Sequence, residues 1–453
     1  MDETQKPDAR KPRPPAGQNS SKDAPSRRSA TLRVGDPLEY RVARLFVWSD
    51  FFVRRGREIY TVAALDRATD LDVLAIRYTQ PFRKSVQIAE CKSDGDRPLD
   101  RIFWLSGVQK FIGADNATLF RRSTKWNIKD FAKVVGVEIL DHPRLEELEK
   151  DVAVDTSVWP GVSDRAFFLA HEDEWNKSLQ RDEPLTELYL TLASEVRYQD
   201  PFGGINYLLH HARALTRALK EKRLPSESFG RFLLCETLAH LAMFLMQVAE
   251  SSFSLSSFDR SGLIKRGLTY GHMDPKLIDR IFRNAHRIAS ETLKHYARSD
   301  VKVDESFFRM PAPPNVSEVQ DIIELLIRHP RASTSFVPLT DLLLSEMYLK
   351  GRSTDWIGRL YTYSDMDDRL ALVRKFIQIV KNVAGGPDEL EPIALPAGKK
   401  ARVVVPESTS TESHPAAAPP VNTSEGETKS PSLFDGSAEV SQEKTHTDDT
   451  EGN

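Results

Sequence analysis

The stretch Val86-Gln87-Ile88-Ala89-Glu90-Cys91-Lys92 constrains the fold more than any other part of this chain. It reads as a strand with an apolar approach, and a helical segment from about Asp100 to Gly113 and a second strand, Ala117 to Phe120, follow it. Strand, helix and strand in that order make a parallel pair joined by a right-handed crossover. Just upstream, Leu71 to Tyr78 is a further strand, and Thr79-Gln80-Pro81-Phe82 between the two predicts an antiparallel hairpin. A strand with both kinds of neighbour belongs to a mixed sheet flanked by helices.

The surrounding segments extend this pattern. From Asp36-Pro37 to Phe52, the residues Leu38, Val42, Leu45 and Phe46 recur at helical spacing, with Asp36 as N-cap and Pro37 in the first turn. A strand is expected at Ile59 to Ala64, and after Phe120 come a helix, Ile128 to Val135, and a strand, Val137 to Leu140. The predicted order is α-β-β-β-α-β-α-β. From about Lys150 the apolar period becomes helical, as in Tyr207, Leu208, His211, Leu215 and Leu219, and again in Leu277, Ile278, Ile281, Phe282, Ala285 and Ile288. Asp274-Pro275 and Ser364-Asp365 mark helix starts, the second ahead of Leu370, Val373, Phe376, Ile377 and Val380. The chain thus divides into an arm, residues 1–33; an α/β mixed-sheet domain, 34–150; a mostly α-helical domain, 155–385; and an acidic tail, 386–453. The two ends are polar, without periodic apolar positions, and are expected to be disordered.

With 453 residues, 40% of them hydrophobic, the chain can bury two cores of ordinary size. Its richest apolar run, Phe232 to Ala249, carries Glu236, His240 and Gln247, which marks a buried core helix and not a membrane span. The N-terminus mixes acids, bases and prolines with no apolar core, which argues against a secretory signal. Cys91 and Cys235 fall in different predicted domains, and that usage fits a reducing, cytoplasmic location. The net charge of −3 combines the acidic tail with a near-neutral remainder, so any affinity for nucleic acid rests on local clusters. Arg54-Arg55-Gly56-Arg57 and Arg121-Arg122-Ser123-Thr124-Lys125 are the candidates to meet phosphates, solvated surface being the alternative. No Gly-rich phosphate loop, nucleophile elbow or Cys-x-x-Cys pair is present, which removes nucleotide hydrolases, serine hydrolases and zinc modules.

Chemistry concentrates on the hairpin. Alternate side chains of a strand share a face, so Glu90 and Lys92 point the same way, and the turn brings Asp72 close to them. Two carboxylates can hold Mg²⁺ or Mn²⁺, while a lysine beside them orients water or offsets charge developing on a phosphate. Asp70 shares the strand face of Asp72 and is the alternative ligand; Asp72 is favoured because Val73-Leu74-Ala75 follows it as a strand should. On the next helix Ile102, Leu105, Gln109 and Ile112 form one stripe, so Gln109 is a polar residue on a packing face, bonded either to the metal site or to backbone. Glu39, beside Val42 and Phe46, is a candidate accessory carboxylate. The competing reading makes Asp72, Glu90 and Lys92 strand-end charges paired on a solvated face.

The order of Glu39 on the first helix, Asp72 opening one strand, Glu90-Cys91-Lys92 ending the next and Gln109 beyond resembles the PD-(D/E)xK nuclease superfamily. Within it, residues 34–150 look most like restriction-endonuclease-like, Mrr-type domains, with Ala117 to Leu140 similar to their closing β-α-β. Leu71 stands where the superfamily pattern has a proline. The resemblance implies a metal-dependent DNA endonuclease acting in defence against foreign DNA or in repair, with Asp72 and Glu90 as ligands and Lys92 as catalytic lysine. The helical domain would direct it, and cutting two strands suggests a homodimer or a protein partner. The alternative is a catalytically silent nuclease-fold module serving as a nucleic-acid-binding or scaffold protein.

Other motifs are weaker. His171-Glu172-Asp173-Glu174 lacks a second histidine at helical spacing, His210-His211 diverge on a helix, and His240 reads as a core histidine. Pro431-Ser432-Leu433-Phe434-Asp435 in the tail is similar to a short sliding-clamp ligand.

Overall fold

The computed structural model describes residues 31–32, 34–60, 67–80, 82–92, 97–195, 200–271, 273–297, 304, 311–360, 364–387 and 390–394. The expectations for residues 1–30 and for the tail from 395 onward, its Leu433-Phe434 motif included, lie outside the described residues.

The first helix, α1 (Pro37–Trp48), starts for a local reason. Asp36 accepts the Leu38 amide, and the Glu39 carboxylate reaches back to the Asp36 amide at 3.2 Å, a reciprocal cap that satisfies the first free N–H groups. There follow β1 (Phe52–Tyr60), β2 (Arg67–Thr79), β3 (Arg83–Lys92), α2 (Pro98–Ile112), β4 (Asn116–Arg121), α3 (Trp126–Val134), β5 (Val137–Asp141) and α4 (His142–Asp151). The strands lie in the sheet in chain order; β1, β2 and β3 pair antiparallel, and β3, β4 and β5 pair parallel. The mixed sheet and its predicted element order are therefore present. Strand β3 is central, and Ile88 to Cys91 within it are buried.

Three boundaries differ from the sequence reading: α1 ends at Trp48 and not at Phe52, β2 begins at Arg67 and not at Leu71, and the first strand is displaced. The first strand runs from Phe52 to Tyr60, not from Ile59, and residues 61–66 are not described. Its arginines obscured it, because a run of charges signals exposure, and here Arg54 and Arg57 are buried and Arg55 is half-buried.

The second half is helical: α5 (Arg165–Arg181), α6 (Glu183–Leu190), α7 (Pro201–Lys220), α8 (Glu227–Ser252), α9 (Ser257–Tyr270), α10 (Pro275–Ala297), α11 (Val316–Arg328), α12 (Pro330–Ser333), α13 (Phe336–Leu343), α14 (Ile357–Leu360) and α15 (Met366–Ala384). Helix α8 is the hub, packed by α7, α11 and α13. It is long and apolar enough to cross a membrane, but 94% of its most apolar window is buried inside the protein. Both cysteines are free and buried.

The described parts of sheet and helices belong to one compact unit, cross-linked by buried charge. Arg54 on β1 binds Glu236 of α8 at 2.9 Å and clasps Asp341 of α13 through two bonds of 2.9 and 2.8 Å. Arg57 binds the same Glu236 at 2.9 Å and the Leu192 carbonyl. Burial pushes the Glu236 carboxyl up, but Arg54 and Arg57 together hold it below the usual carboxylate range. Asp341, with Glu236 nearby, is pushed up by burial despite Arg54. Removing one member of such a set strands the others without solvent. Glu236→Ala is accordingly expected to cost about 3–5 kcal/mol in urea unfolding, far more than an exposed substitution.

His240, one turn beyond Glu236, bonds the Glu236 carbonyl through Nδ1 at 2.7 Å, the satisfied core histidine the sequence suggested. Burial, then Arg57, lower its pKa from 6.5 to about 3. Between those values the unfolded chain binds a proton that the folded one excludes. This contribution to stability is therefore complete above 6.5 and lost progressively as pH falls toward 3. His240→Gln should flatten the pH dependence of urea unfolding across that window.

Candidate active site

Asp72 and Glu90 meet because of strand register. Val73 lies opposite Ala89, so one residue further along the hairpin the two carboxylates share a face. There the Cys91 amide donates to Asp72 Oδ2 at 2.7 Å, which fixes this carboxylate to the neighbouring strand. Lys92 Nζ lies 3.4 Å from the same oxygen and 2.9 Å from Glu90 Oε1. The cluster sits at the carboxyl end of β3, the strand that pairs antiparallel with β2 and parallel with β4.

The Glu90 side chain is only 3% exposed, against 27% for Lys92, so the niche is dry at its floor and open at the lysine. Burial, with the charge of Asp72, raises the Glu90 pKa to about 7 despite Lys92 and Arg101. Burial also works against the Lys92 ammonium, but Glu90 and Asp72 outweigh it and keep the pKa above the usual lysine value.

Glu39 belongs to this environment. Its carboxyl is pushed up to about 7 by burial and then by Asp72, although it caps α1 and lies 3.6 Å from Arg55. Gly35 makes room for it: a Cβ there would stand 1.9 Å from Glu39 Oε2.

Gln109 is a correction. Its amide donates to the Asp115 carbonyl at 3.2 Å, and Asp115 in turn bonds Val86. Val86 is four residues before Glu90, roughly 13 Å along a strand. Gln109 therefore takes the backbone role and does not join the carboxylates. The helical residue that does is Arg101, in the first turn of α2, whose Nη1 lies 3.6 Å from Glu90 Oε1. Its signal was available: a cation in the turn that follows the carboxyl end of the motif strand. Asp70 is exposed and placed opposite Glu58, whereas Asp72 meets the lysine.

The first basic cluster is not a phosphate surface. Arg54 and Arg57 are committed to Glu236 and Asp341, and Arg55 lies over the Tyr40 ring and donates to the Val162 carbonyl. Arg121 is also buried, while Arg122 and Lys125 are exposed. Between β1 and the helices a cavity of about 380 Å³ is lined by Glu39, Arg55, Asp70, Tyr189 and Glu236, among others.

Among the described residues, no group of three or more His, Cys, Asp or Glu side chains forms a metal cage. Asp72 and Glu90 offer instead two carboxylates beside an open edge, a donor set that suits an ion retaining much of its water, as Mg²⁺ does. No family model, curated protein or solved structure matches the chain.

If Asp72 raises the Glu90 pKa as the geometry requires, Asp72→Asn in metal-free protein moves the Glu90 titration down from about 7, read by carbon NMR of labelled glutamate.

Proposed function

We propose that this chain is a divalent-metal-dependent endonuclease hydrolysing phosphodiester bonds in DNA, built on a restriction-endonuclease-like domain. The observation that carries the reading is the convergence of Asp72, Glu90 and Lys92 at the end of the central strand. In this reading Asp72 and Glu90 hold Mg²⁺ or Mn²⁺, which when bound supplies charge and an acidified water for attack on phosphorus. Asp72 is kept in place by the Cys91 amide, and Glu90 by its burial. Lys92 holds the attacking water and offsets negative charge as the new P–O bond forms and the old ester bond breaks. Arg101 positions Glu90 from the helix side. Glu39 interacts electrostatically with Asp72, and Arg122 and Lys125 are exposed cations that would meet the DNA backbone.

The test is cleavage of plasmid and single-stranded DNA with and without Mg²⁺ or Mn²⁺. Lys92→Ala, Glu90→Gln and Asp72→Asn should each lower the rate by about 100-fold or more, while Gln109→Ala leaves it within a few-fold. Cleavage that survives Lys92→Ala, or no cleavage of either substrate with either metal, overturns the enzymatic reading and leaves a silent binding module.

The lysine also competes with a cation for the same oxygens. Lys92→Ala is therefore expected to bind Mn²⁺ more tightly than the unaltered protein by calorimetry, although it has lost activity.

A further inference from the structure

Helix α10 behaves unlike the other long helices. None of its described residues is buried, although its sequence is strongly amphipathic. At 100° per residue Leu277, Ile281, Ala285, Ile288 and Tyr296 fall within an arc of roughly 100°, which Thr292 and His295 interrupt only in the last two turns. The four large members of this stripe are between 42% and 80% exposed. Lys276, Arg283, Arg287 and Lys294 occupy the other side of the helix. From Leu277 to Tyr296 the stripe is roughly 29 Å long and 10 Å wide, about 300 Å², the size of the largest apolar patch on many monomers and often a functional one.

We propose that α10 is a self-association surface and that its occupant is α10 of a second copy of this chain, packed antiparallel. Charge complementarity selects this occupant. Arg280 and Glu291 flank the stripe on the same side. In an antiparallel pair related by a two-fold axis, same-side flanks face each other, so Arg280 meets the partner's Glu291 when the axis passes between Ala285 and His286. That point is also the middle of Pro275–Ala297, so the register demanded by the charges is the one that overlaps the helices fully. It places alanine at the crossing point, Ile281 beside the partner's Ile288, and Leu277 beside the partner's Tyr296. Glu291 already pairs with Arg287 of its own helix at 3.1 Å, an exposed contact that can be shared or released.

A lipid surface fits less well, because an anionic membrane favours cations along the margin of the stripe and Glu291 stands there. The stripe alone covers about a third of the ~800 Å² per partner typical of a stable complex, so weak association, in the range of tens of micromolar, is expected. The inference stands on α10 alone and does not depend on the nuclease reading.

Sedimentation equilibrium of the full chain at tens of micromolar tests it. The unaltered protein should be a dimer, and Ile281→Glu with Ile288→Glu a monomer with unchanged helical content by circular dichroism. Arg280→Glu and Glu291→Arg should each weaken association about tenfold, and the two together restore it. Ala285→Cys should form an intermolecular disulfide under copper–phenanthroline oxidation, which reports the crossing point in otherwise unaltered, folded protein. A monomeric unaltered protein, a dimer that survives the double glutamate variant, or charge variants that fail to rescue each other would overturn the proposal. So would a monomer in which α10 binds phosphatidylglycerol vesicles instead.

Discussion

The buried set Arg54, Arg57, Glu236 and Asp341 determines how this molecule is put together. It ties the edge strand β1 to the hub helix α8 and to α13, across sequence separations of 182 and 287 residues. Hydrophobic contact alone would hold sheet and helices together without a fixed register, whereas a two-armed guanidinium clasp accepts one geometry. The same strand pairs with β2, which carries Asp72, and presents Arg55 to Glu39. Through β1, the placement of the carboxylate cluster is linked to charges buried against the helices.

The cluster itself follows a different economy. Its acids are partly desolvated and close together, so Glu39 and Glu90 are both raised to about 7, and Asp72 contributes to both shifts. A site used only for structural ion pairing gains by matching each acid with a cation, as Glu236 is matched by two arginines. Here Lys92 serves two acids at once and remains the most exposed member of the three. Acids perturbed by burial and by each other, with a cation open to solvent beside them, are what functional sites gather more often than structural ion pairs do.

Legibility in the sequence followed the range of the interactions. The period-two pattern and the hairpin placed Asp72, Glu90 and Lys92 together, because register is local. Gln109 was misplaced because an apolar stripe gives a helix face but not a height. Helix α2 runs back along the sheet, and Gln109 is about 16 Å beyond its start, while Arg101 in the first turn stands at the level of Glu90. The arginines of β1 suggested surface because the acids that neutralise them lie far away in sequence. The stripe of α10 predicted a helix correctly, yet periodicity alone cannot say whether its apolar face meets this chain or another.

The central claim is that Asp72 and Glu90 together hold a divalent cation beside Lys92. Anomalous diffraction from crystals soaked in Mn²⁺ tests it most directly. The account predicts a peak within coordination distance of both carboxylates, absent from crystals of Glu90→Gln. Crystals that bind Mn²⁺ elsewhere while these two carboxylates stay bare, in protein that cleaves DNA, would contradict it.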